Sequence, residues 1–259
     1  MAAPCPLLAV PLGDGITDDT LLHIARLLPS ATDLLSLGLT CPRFAARIIA
    51  APGVIAAGGQ HGQGPAAAPE MLSIVEETAR LWLAGCTEQE CGWVSRRELE
   101  SWLGLMHEVG LLRVPLAFGR AHGNFTLSEG GAVATKNAGG YSWRKAASKV
   151  VMRSRRHFAC FTVEGGLLVL GLIRPGWDLE EGEEVEDVDG HCFYRTFDGR
   201  HLPGRHDWQG MQGAREQGDR IGMLLDLDQG SMTIWKNDVK LGVMVVGGLS
   251  GPLCWAVSV

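Results

Sequence analysis

Histidine and carboxylate side chains in one segment of the second half could support acid–base or metal chemistry. His191, His201 and His206 lie within a turn-rich stretch that also contains Asp207. Imidazole titrates near neutral pH and is a common metal ligand. However, no carboxylate pair stands near them at a motif spacing, and the chain has no Gly-x-Ser-x-Gly nucleophile elbow. We therefore predict no catalytic, metal-binding or cofactor-binding residue, and a protein that is not an enzyme.

Charged residues form two clusters of opposite sign. An acidic run over residues 180–189 could gather Ca²⁺, but its spacing matches no EF-hand loop, and such runs are usually solvated. A basic cluster between Arg144 and Arg156 could contact an acidic partner or pair with the acidic run. The net charge of −6 argues against nucleic acid or an anionic membrane as the main partner.

The cysteines restrict the compartment and exclude some zinc modules. Seven cysteines are scattered along the chain, and none forms a C-x-x-C pair. A zinc finger or RING domain is therefore excluded, and free thiols suit a reducing compartment. Since no segment is long and apolar enough to span a membrane, we predict a cytoplasmic or nuclear protein.

The clearest secondary-structure pattern of the chain lies in the segment 218–242. Apolar residues recur with period two over residues 221–227, so one face of a strand should be buried. Residues 228–230 and 237–238 supply the Asp, Asn and Gly that antiparallel strands use to reverse direction. The segment thus predicts three short antiparallel strands joined by two tight turns.

This segment resembles the core of the SPRY domain, also called B30.2. Asp238 departs from the family pattern, which usually has Gly there, and we expect a looser turn because Asp tolerates the left-handed conformation less well. The resemblance implies a domain that binds proteins or peptides and catalyses nothing. The matching residues are Gly218, Asp219, Ile221, Gly222, Leu225, Asp226, Asp228, Gly230, Trp235, Asn237, Leu241 and Gly242.

Further segments extend the resemblance over roughly residues 135–259. Residues 156–163, 170–173, 176–179 and 247–258 are similar, in order, to other SPRY segments. Many short strands with regular turns are typical of an antiparallel β-sandwich, here of the concanavalin or jelly-roll type. Members of the family usually continue past the last segment, so we expect either an exposed sheet edge or a truncated product at Val259. The predicted strands are 149–153, 157–163, 166–173, 220–227, 231–236, 239–246 and 253–259.

The loop-rich stretch 191–212 corresponds in order to residues that contribute to the peptide-binding surface of SPRY domains. Aromatic loop residues such as Phe197 bury a large area at low entropic cost, whereas core packing is expected for Trp235 inside its strand. The resemblance therefore points to substrate-protein binding by Tyr194, Arg195, Asp198, Arg200 and Trp208.

Residues 17–51 show the pattern of three short helices. Thr17 can cap the first helix, and Pro29 ends its apolar stripe. Ser30 or Thr32 can cap the second helix, and Pro42 opens the third. Helices this short must pack together or against a partner to bury their apolar faces. The third helix is predicted to carry Phe44, Ile48 and Ile49.

The segment 19–44 is similar to an F-box, particularly in its ending over residues 40–44. The Leu-Pro start of that family is missing, because Ile16-Thr17 stands there instead. An alternative interpretation is an ordinary helical hairpin beside the SPRY-like domain. The resemblance implies docking to a Skp1-type subunit of a cullin ubiquitin ligase through Leu21, Leu22, Ile24, Leu28, Leu35 and Phe44.

Together these patterns predict an α+β multidomain protein that works as a non-catalytic adaptor, bringing a substrate protein to a ubiquitin ligase. One alternative is a SPRY scaffold unrelated to ubiquitin. Another is a jelly-roll carbohydrate binder, for which Asp226 and Asp228 are the nearest carboxylates. The predicted organisation is an extended N-terminus at 1–16, an F-box-like module at 17–51, a linker at 52–69, a helical connector at 70–117 and a β-sandwich at 118–259.

Overall fold

The computed structural model describes residues 17–49, 71–94, 101–137, 144–180 and 190–259. Contacts divide the chain into two compact units, residues 1–110 and 111–259. The predicted N-terminal extension, the linker and nearly all of the acidic run lie outside the described residues. No helix within the described ranges is long and apolar enough to cross a membrane.

The first unit consists of short helices with one pair of strands. Thr17 accepts a hydrogen bond from the Thr20 amide, and Ser30 accepts one from the Asp33 amide, so both predicted caps are confirmed. Thr32 lies inside its helix. The helices are α1 (Asp18–Ala25), α2 (Ala31–Thr40), α3 (Pro42–Ala45), α4 (Ile74–Ala84), α5 (Glu88–Trp93) and α6 (Trp102–Leu112), and the strands are β1 (Arg47–Ile49) and β2 (Met71–Ser73).

The third predicted helix is shorter than the sequence suggested. It spans a single turn, and the chain then enters β1, which pairs antiparallel with β2. The assignment of Ile48 and Ile49 to a helix was therefore wrong, as was the helical assignment of Met71. β-branched isoleucines favour extended backbone, and pairing between the two segments outweighs the helical spacing.

One apolar core joins the helices of this unit. Leu21, Leu34 and Phe44, from α1, α2 and α3, are buried in it. Ile74 and Val75 at the start of α4 belong to the same cluster. Burial of each such side chain stabilises the unit by about 1.5–3 kcal/mol. The F-box-like segment and the connector therefore share one core.

The second unit is an antiparallel β-sandwich, as predicted. One sheet has six strands in the order β10-β9-β8-β14-β6-β3, another has four in the order β13-β12-β11-β7, and β4 and β5 form a hairpin. The strands are β3 (Phe118–Ala121), β4 (Phe125–Ser128), β5 (Val133–Lys136), β6 (Lys145–Ser148), β7 (Arg156–Thr162), β8 (Val169–Ile173), β9 (Cys192–Arg195), β10 (His201–Leu202), β11 (Arg220–Asp226), β12 (Ser231–Lys236), β13 (Val239–Val245) and β14 (Cys254–Ser258).

The core of the second unit lies between the two large sheets. Met223 and Leu225 of β11 face Leu172 of β8 and Trp255 of β14 within a single buried cluster. The predicted buried face is confirmed, because Ile221, Met223 and Leu225 are fully buried. Burial does not alternate along β11, however, since the residues between them are buried as well. This rigid frame fixes the strand ends from which the functional loops extend.

Three sequence assignments in this unit need correction. The predicted strand 149–153 is a loop, in which only Met152 forms an isolated bridge, to Leu253. The preceding strand, β6, was missed because its Lys-Ala-Ala-Ser sequence has no β-branched or aromatic residue. The stretch 191–212 was taken as loops, but it contains β9 and β10.

The Asn237-Asp238 turn is well formed. Asn237 and Asp238 have φ of 50° and 68°, the pattern of the type I′ turn that suits an antiparallel hairpin. The Asn237 carboxamide oxygen accepts a hydrogen bond from the Arg220 amide at 2.8 Å, and the Asp238 carboxylate pairs with the Arg220 guanidinium. These contacts anchor the turn that the sequence predicted to be looser.

Candidate functional site

Two neighbouring depressions open at one end of the sandwich, where β9 and β12 end and β8 and β11 begin. The larger, of about 430 Å³, is lined by Phe197, Asp198, Met211, Gln212, Arg215 and Lys236, with two further residues. The smaller, of about 200 Å³, lies between residues 166–167, 196–197 and 214–215. Phe197 and Arg215 border both depressions, so these two residues form the wall between them.

Backbone hydrogen bonds and two glycines hold the loops of this site together. The Ala214 amide donates to the Thr196 carbonyl at 2.7 Å, and the Thr196 amide donates to the Leu168 carbonyl at 2.9 Å. A Cβ on Gly213 would lie 2.7 Å from the Phe197 carbonyl oxygen, and one on Gly199 would lie 2.5 Å from a backbone oxygen across the loop. Only glycine permits this close approach.

Phe197 and Arg215 form an exposed aromatic–cation pair. Phe197 is 51 % exposed. The Arg215 guanidinium carbon lies 3.8 Å from the centre of the Phe197 ring, within the range of a cation–π interaction. The Arg215 Nε also donates to the Phe197 carbonyl oxygen, so the guanidinium is held in one orientation.

A buried carboxylate supports the floor of the larger depression. Asp219 is 5 % exposed and accepts hydrogen bonds from Asn237 Nδ2 at 2.9 Å and from the Glu216 amide at 3.1 Å. Its Oδ2 lies 3.2 Å from Lys236 Nζ, which also donates to the Gly213 carbonyl. Although burial opposes ionisation, these donors hold the pKa of Asp219 below its ordinary value. Asp219 is therefore a structural anion, unsuited to proton transfer near neutral pH.

Three of the predicted binding residues form one ion-pair network. Asp198 accepts from Arg195 Nε at 2.9 Å and from the Arg200 amide at 3.2 Å. The hydrogen bond from Arg195 is the largest effect that lowers the pKa of Asp198. Arg200 also pairs with Asp207 at 3.2 Å. Because these charges compensate one another, the network fixes the loop that carries Phe197.

The two predicted aromatic residues differ in their surroundings. Tyr194 is fully buried in β9, and its hydroxyl donates to the Gln212 carbonyl. Burial is the main reason why the pKa of the Tyr194 hydroxyl is raised, and nearby carboxylates raise it further. Trp208 is half-buried against the core, and its Nε1 donates to the Gly199 carbonyl at 2.7 Å. Tyr194 and Trp208 therefore hold the backbone of the site loops by hydrogen bonds, and Phe197 presents the exposed aromatic surface.

Arg215 and Leu167 are site residues that the sequence did not reveal. Leu167 follows Gly166 in the β7–β8 loop and is 43 % exposed. No local pattern links it to Arg215, which lies far along the chain, and the two meet only because β8 and β11 belong to facing sheets. An exposed leucine after paired glycines in a strand-connecting loop was the one available signal.

The histidines that suggested metal or acid–base chemistry are separated in the structure. His191 is buried beside Trp177, with the ring centres 4.3 Å apart, whereas His201 and His206 face each other across a bridge with ring centres 6.1 Å apart. Among the described residues, no three His, Cys, Asp or Glu side chains gather as a metal site requires.

In the helical unit, the six predicted partner-binding residues fall into three groups. Leu21 and Phe44 are buried in the core of the unit, whereas Leu22 and Leu28 are half-buried against it. Ile24 and Leu35 are 42 % and 49 % exposed. Leu27 and Leu39, at 71 % and 79 %, are the other exposed large apolar side chains of α1, α2 and the turn between them.

The fold defined here is an antiparallel two-sheet sandwich with a loop-built site at one end, preceded by a small helical unit. No protein-family model matches the chain, and no curated protein matches it in sequence. Among solved structures it is similar to the SPRY domain of human HERC1, at 15 % identity and a TM-score of 0.45, over 55 % of this chain and 89 % of that one.

Two other solved structures show similarity of the same extent. A human SPRY domain is 18 % identical, with a TM-score of 0.40, over 55 % of this chain and 90 % of that one. The TRIM65 PSpry domain is 14 % identical, with a TM-score of 0.43, over 64 % of this chain and 93 % of that one. Similarity of this extent defines neither a family nor a partner.

Proposed function

We propose that this chain is a non-catalytic protein-interaction adaptor whose β-sandwich binds a segment of a substrate protein. The proposal rests mainly on the half-exposed Phe197, which lies on a hydrogen-bonded loop between two depressions and in cation–π contact with Arg215. Exposed, immobilised aromatic and arginine side chains are the typical anchors of protein interfaces. The resemblance of the sequence 218–242 to the SPRY core supports the same function.

Quantitative affinity purification with the full chain tests this proposal. Phe197→Ala removes the anchor without touching the core, so the partners captured by the wild type should be depleted at least about tenfold, as hot-spot truncation implies. Val246→Ala is the matched control, because Val246 is 84 % exposed and follows β13 at the opposite end of the sandwich. Equal depletion by both variants, or by neither, would contradict the proposal.

We further propose that the helical unit docks a Skp1-type subunit. Its exposed apolar residues support this, because Ile24 and Leu35 lie among the residues that the F-box resemblance assigns to the partner. The proposal requires that these side chains of α1 and α2 act together as one contiguous apolar patch, the kind of surface that binds a partner. Leu21 and Phe44 would act indirectly, by holding these helices on α4.

The docking test should change exposed residues only. Ile24→Arg combined with Leu35→Arg should abolish binding to a purified Skp1-type protein, measured by calorimetry, and leave helical content unchanged. Thr32→Arg, at an exposed polar position of α2, is the control that adds a charge without removing apolar surface. Wild-type chain that is folded and yet shows no binding would eliminate this role.

The second candidate is a SPRY-type scaffold without a link to ubiquitin. One observation favours it, because two of the residues assigned to the partner, Leu21 and Phe44, pack inside the unit itself. A carbohydrate-binding function is not supported. Asp226 pairs with Arg156 at 3.1 Å and accepts two backbone amides of its own turn, so this carboxylate is fully engaged.

A further inference from the structure

The guanidinium of Arg215 is fixed in place yet lacks an anionic partner. Its central carbon lies 3.8 Å from the centre of the Phe197 ring, and its Nε donates to the Phe197 carbonyl oxygen. Within the described part of the chain, no carboxylate lies at ion-pair distance from it, and the residue is exposed. The two terminal nitrogens are therefore free to donate as a fork, the geometry that binds a carboxylate through two parallel hydrogen bonds.

An apolar hollow lies directly beside this cation. The smaller depression is lined by Leu167, Thr196 and Ala214 together with Phe197 and Arg215. Its volume of about 200 Å³ is below the roughly 300–1,000 Å³ typical of small-molecule sites. It therefore suits a single aliphatic side chain of a bound protein segment.

The remaining charges of the site determine how a ligand is oriented. Asp198 is compensated by arginines, and Lys236 is compensated by Asp219. Asp198 and Glu216 are the two carboxylates that line the larger depression. Of these, Glu216 has no ion pair among the described residues. A negative group on the ligand is therefore disfavoured on the Glu216 side of Arg215.

We propose that the site recognises an extended protein segment in which an acidic residue is adjacent to an aliphatic one. The acidic side chain binds the terminal nitrogens of Arg215 in a bidentate manner, and the aliphatic side chain fills the hollow beside Leu167 and Phe197. This inference rests on the proposed function, because it specifies the ligand of the same site. Since the fork is already oriented, little side-chain entropy is lost on binding.

A random peptide library displayed on phage, selected against the full chain, tests this specificity. We expect selected sequences to combine Asp or Glu with an adjacent Leu, Ile, Val or Met. For a synthetic peptide of the strongest sequence, changing the acid to its amide should weaken binding about 10-fold to 100-fold, the effect of one hydrogen bond to a charged group. The same change should have no further effect on Arg215→Gln, because the variant lacks the partner.

Two further variants separate recognition from loss of structure. Arg215→Lys should recover only part of the affinity, since a single ammonium cannot form the bidentate pair. Glu216→Gln should raise affinity by up to about fivefold, because it removes repulsion of the acidic peptide, and misfolding cannot produce such a gain.

The outcomes distinguish this inference from the proposed function. Selection of basic or uncharged peptides whose binding still requires Phe197 would overturn the acidic–aliphatic specificity and leave the interaction site intact. Independent effects of the peptide amide and of Arg215→Gln would also overturn it. Failure to select any peptide that depends on Phe197 would overturn both.

Discussion

Replacing Asp219 should destabilise the β-sandwich more than replacing any exposed carboxylate of the same loops. Asp219 follows Gly218 in the sequence block that resembles the SPRY core, and its carboxylate is buried under the site. It joins the segment 216–219 to Lys236 and to the turn residue Asn237. Two segments, 216–219 and 236–237, are therefore held together by one anion.

The expected magnitude follows from which groups lose their partner. In Asp219→Ala, the ammonium of Lys236 keeps only the Gly213 carbonyl, and breaking a buried ion pair costs about 3–5 kcal/mol. Asp219→Asn preserves the shape and one acceptor, so the loss should be about 1.5–3 kcal/mol, the value of hydrogen bonds to a charged group. The control is Asp207→Asn, whose exposed pair with Arg200 should contribute at most about 1 kcal/mol.

Native-state hydrogen exchange with mass spectrometry is the suitable assay, because it reports on the two units of the full chain separately. Amides of β11 and β12 should lose protection in the Asp219 variants, and amides of α4 should not. If Asp219→Asn lowers the opening free energy of β11 no more than Asp207→Asn does, the claim that a buried anion organises these loops is refuted.

Three further changes have defined outcomes. Burial and two nearby cations lower the pKa of His191 to about 4, so the folded protein resists protonation that the unfolded chain accepts below about pH 6.5. Stability should therefore fall by up to about 3 kcal/mol as the pH drops from 6.5 towards 4, and His191→Gln should flatten that slope in urea unfolding at several pH values. Asp238→Gly should stabilise the β12–β13 turn by about 0.5 kcal/mol, since glycine removes the left-handed strain and the exposed ion pair contributes little; a loss of more than about 1 kcal/mol by the same unfolding assay would contradict this. Gly213→Ala should lower the free energy of unfolding by about 1–3 kcal/mol and weaken peptide binding, because the added Cβ meets the Phe197 carbonyl. An unchanged melting temperature and affinity would show that the loops can shift to accommodate the methyl group.

The sequence predicted those parts of the fold that depend on interactions between residues close in the chain. The caps at Thr17 and Ser30, the buried face of the strand at 221–225 and the strand Ser231–Lys236 were all correct, because each depends on neighbours within a few residues. The antiparallel sandwich also followed from many short strands with turn residues between them. Strand β6 was missed because burial between β3 and β14, not intrinsic propensity, makes its Lys-Ala-Ala-Ser sequence extended.

The site was predictable only in part, for a physical reason. Arg195, Asp198 and Arg200 were predicted to bind a substrate protein, and the structure brings them together as an ion-pair network because they are close in sequence. Arg215 and Leu167 were not predicted, because their proximity depends on how two sheets pack. Exposure is likewise a tertiary property. Tyr194 and Phe197 are three residues apart, yet the first is buried and the second is half-exposed.

The glycine content of the chain bears on how the site can bind. Many turns explain most of the 35 glycines, but Gly199 and Gly213 have another role, since they allow the two loop segments to pack against each other's backbone. Loops locked in this way are ordered before a ligand arrives. A bound segment then loses its own conformational freedom but imposes little further loss on the protein. Affinity at this end of the sandwich should therefore depend on the few anchors around Phe197 and on their fixed orientation, and only weakly on the total area buried.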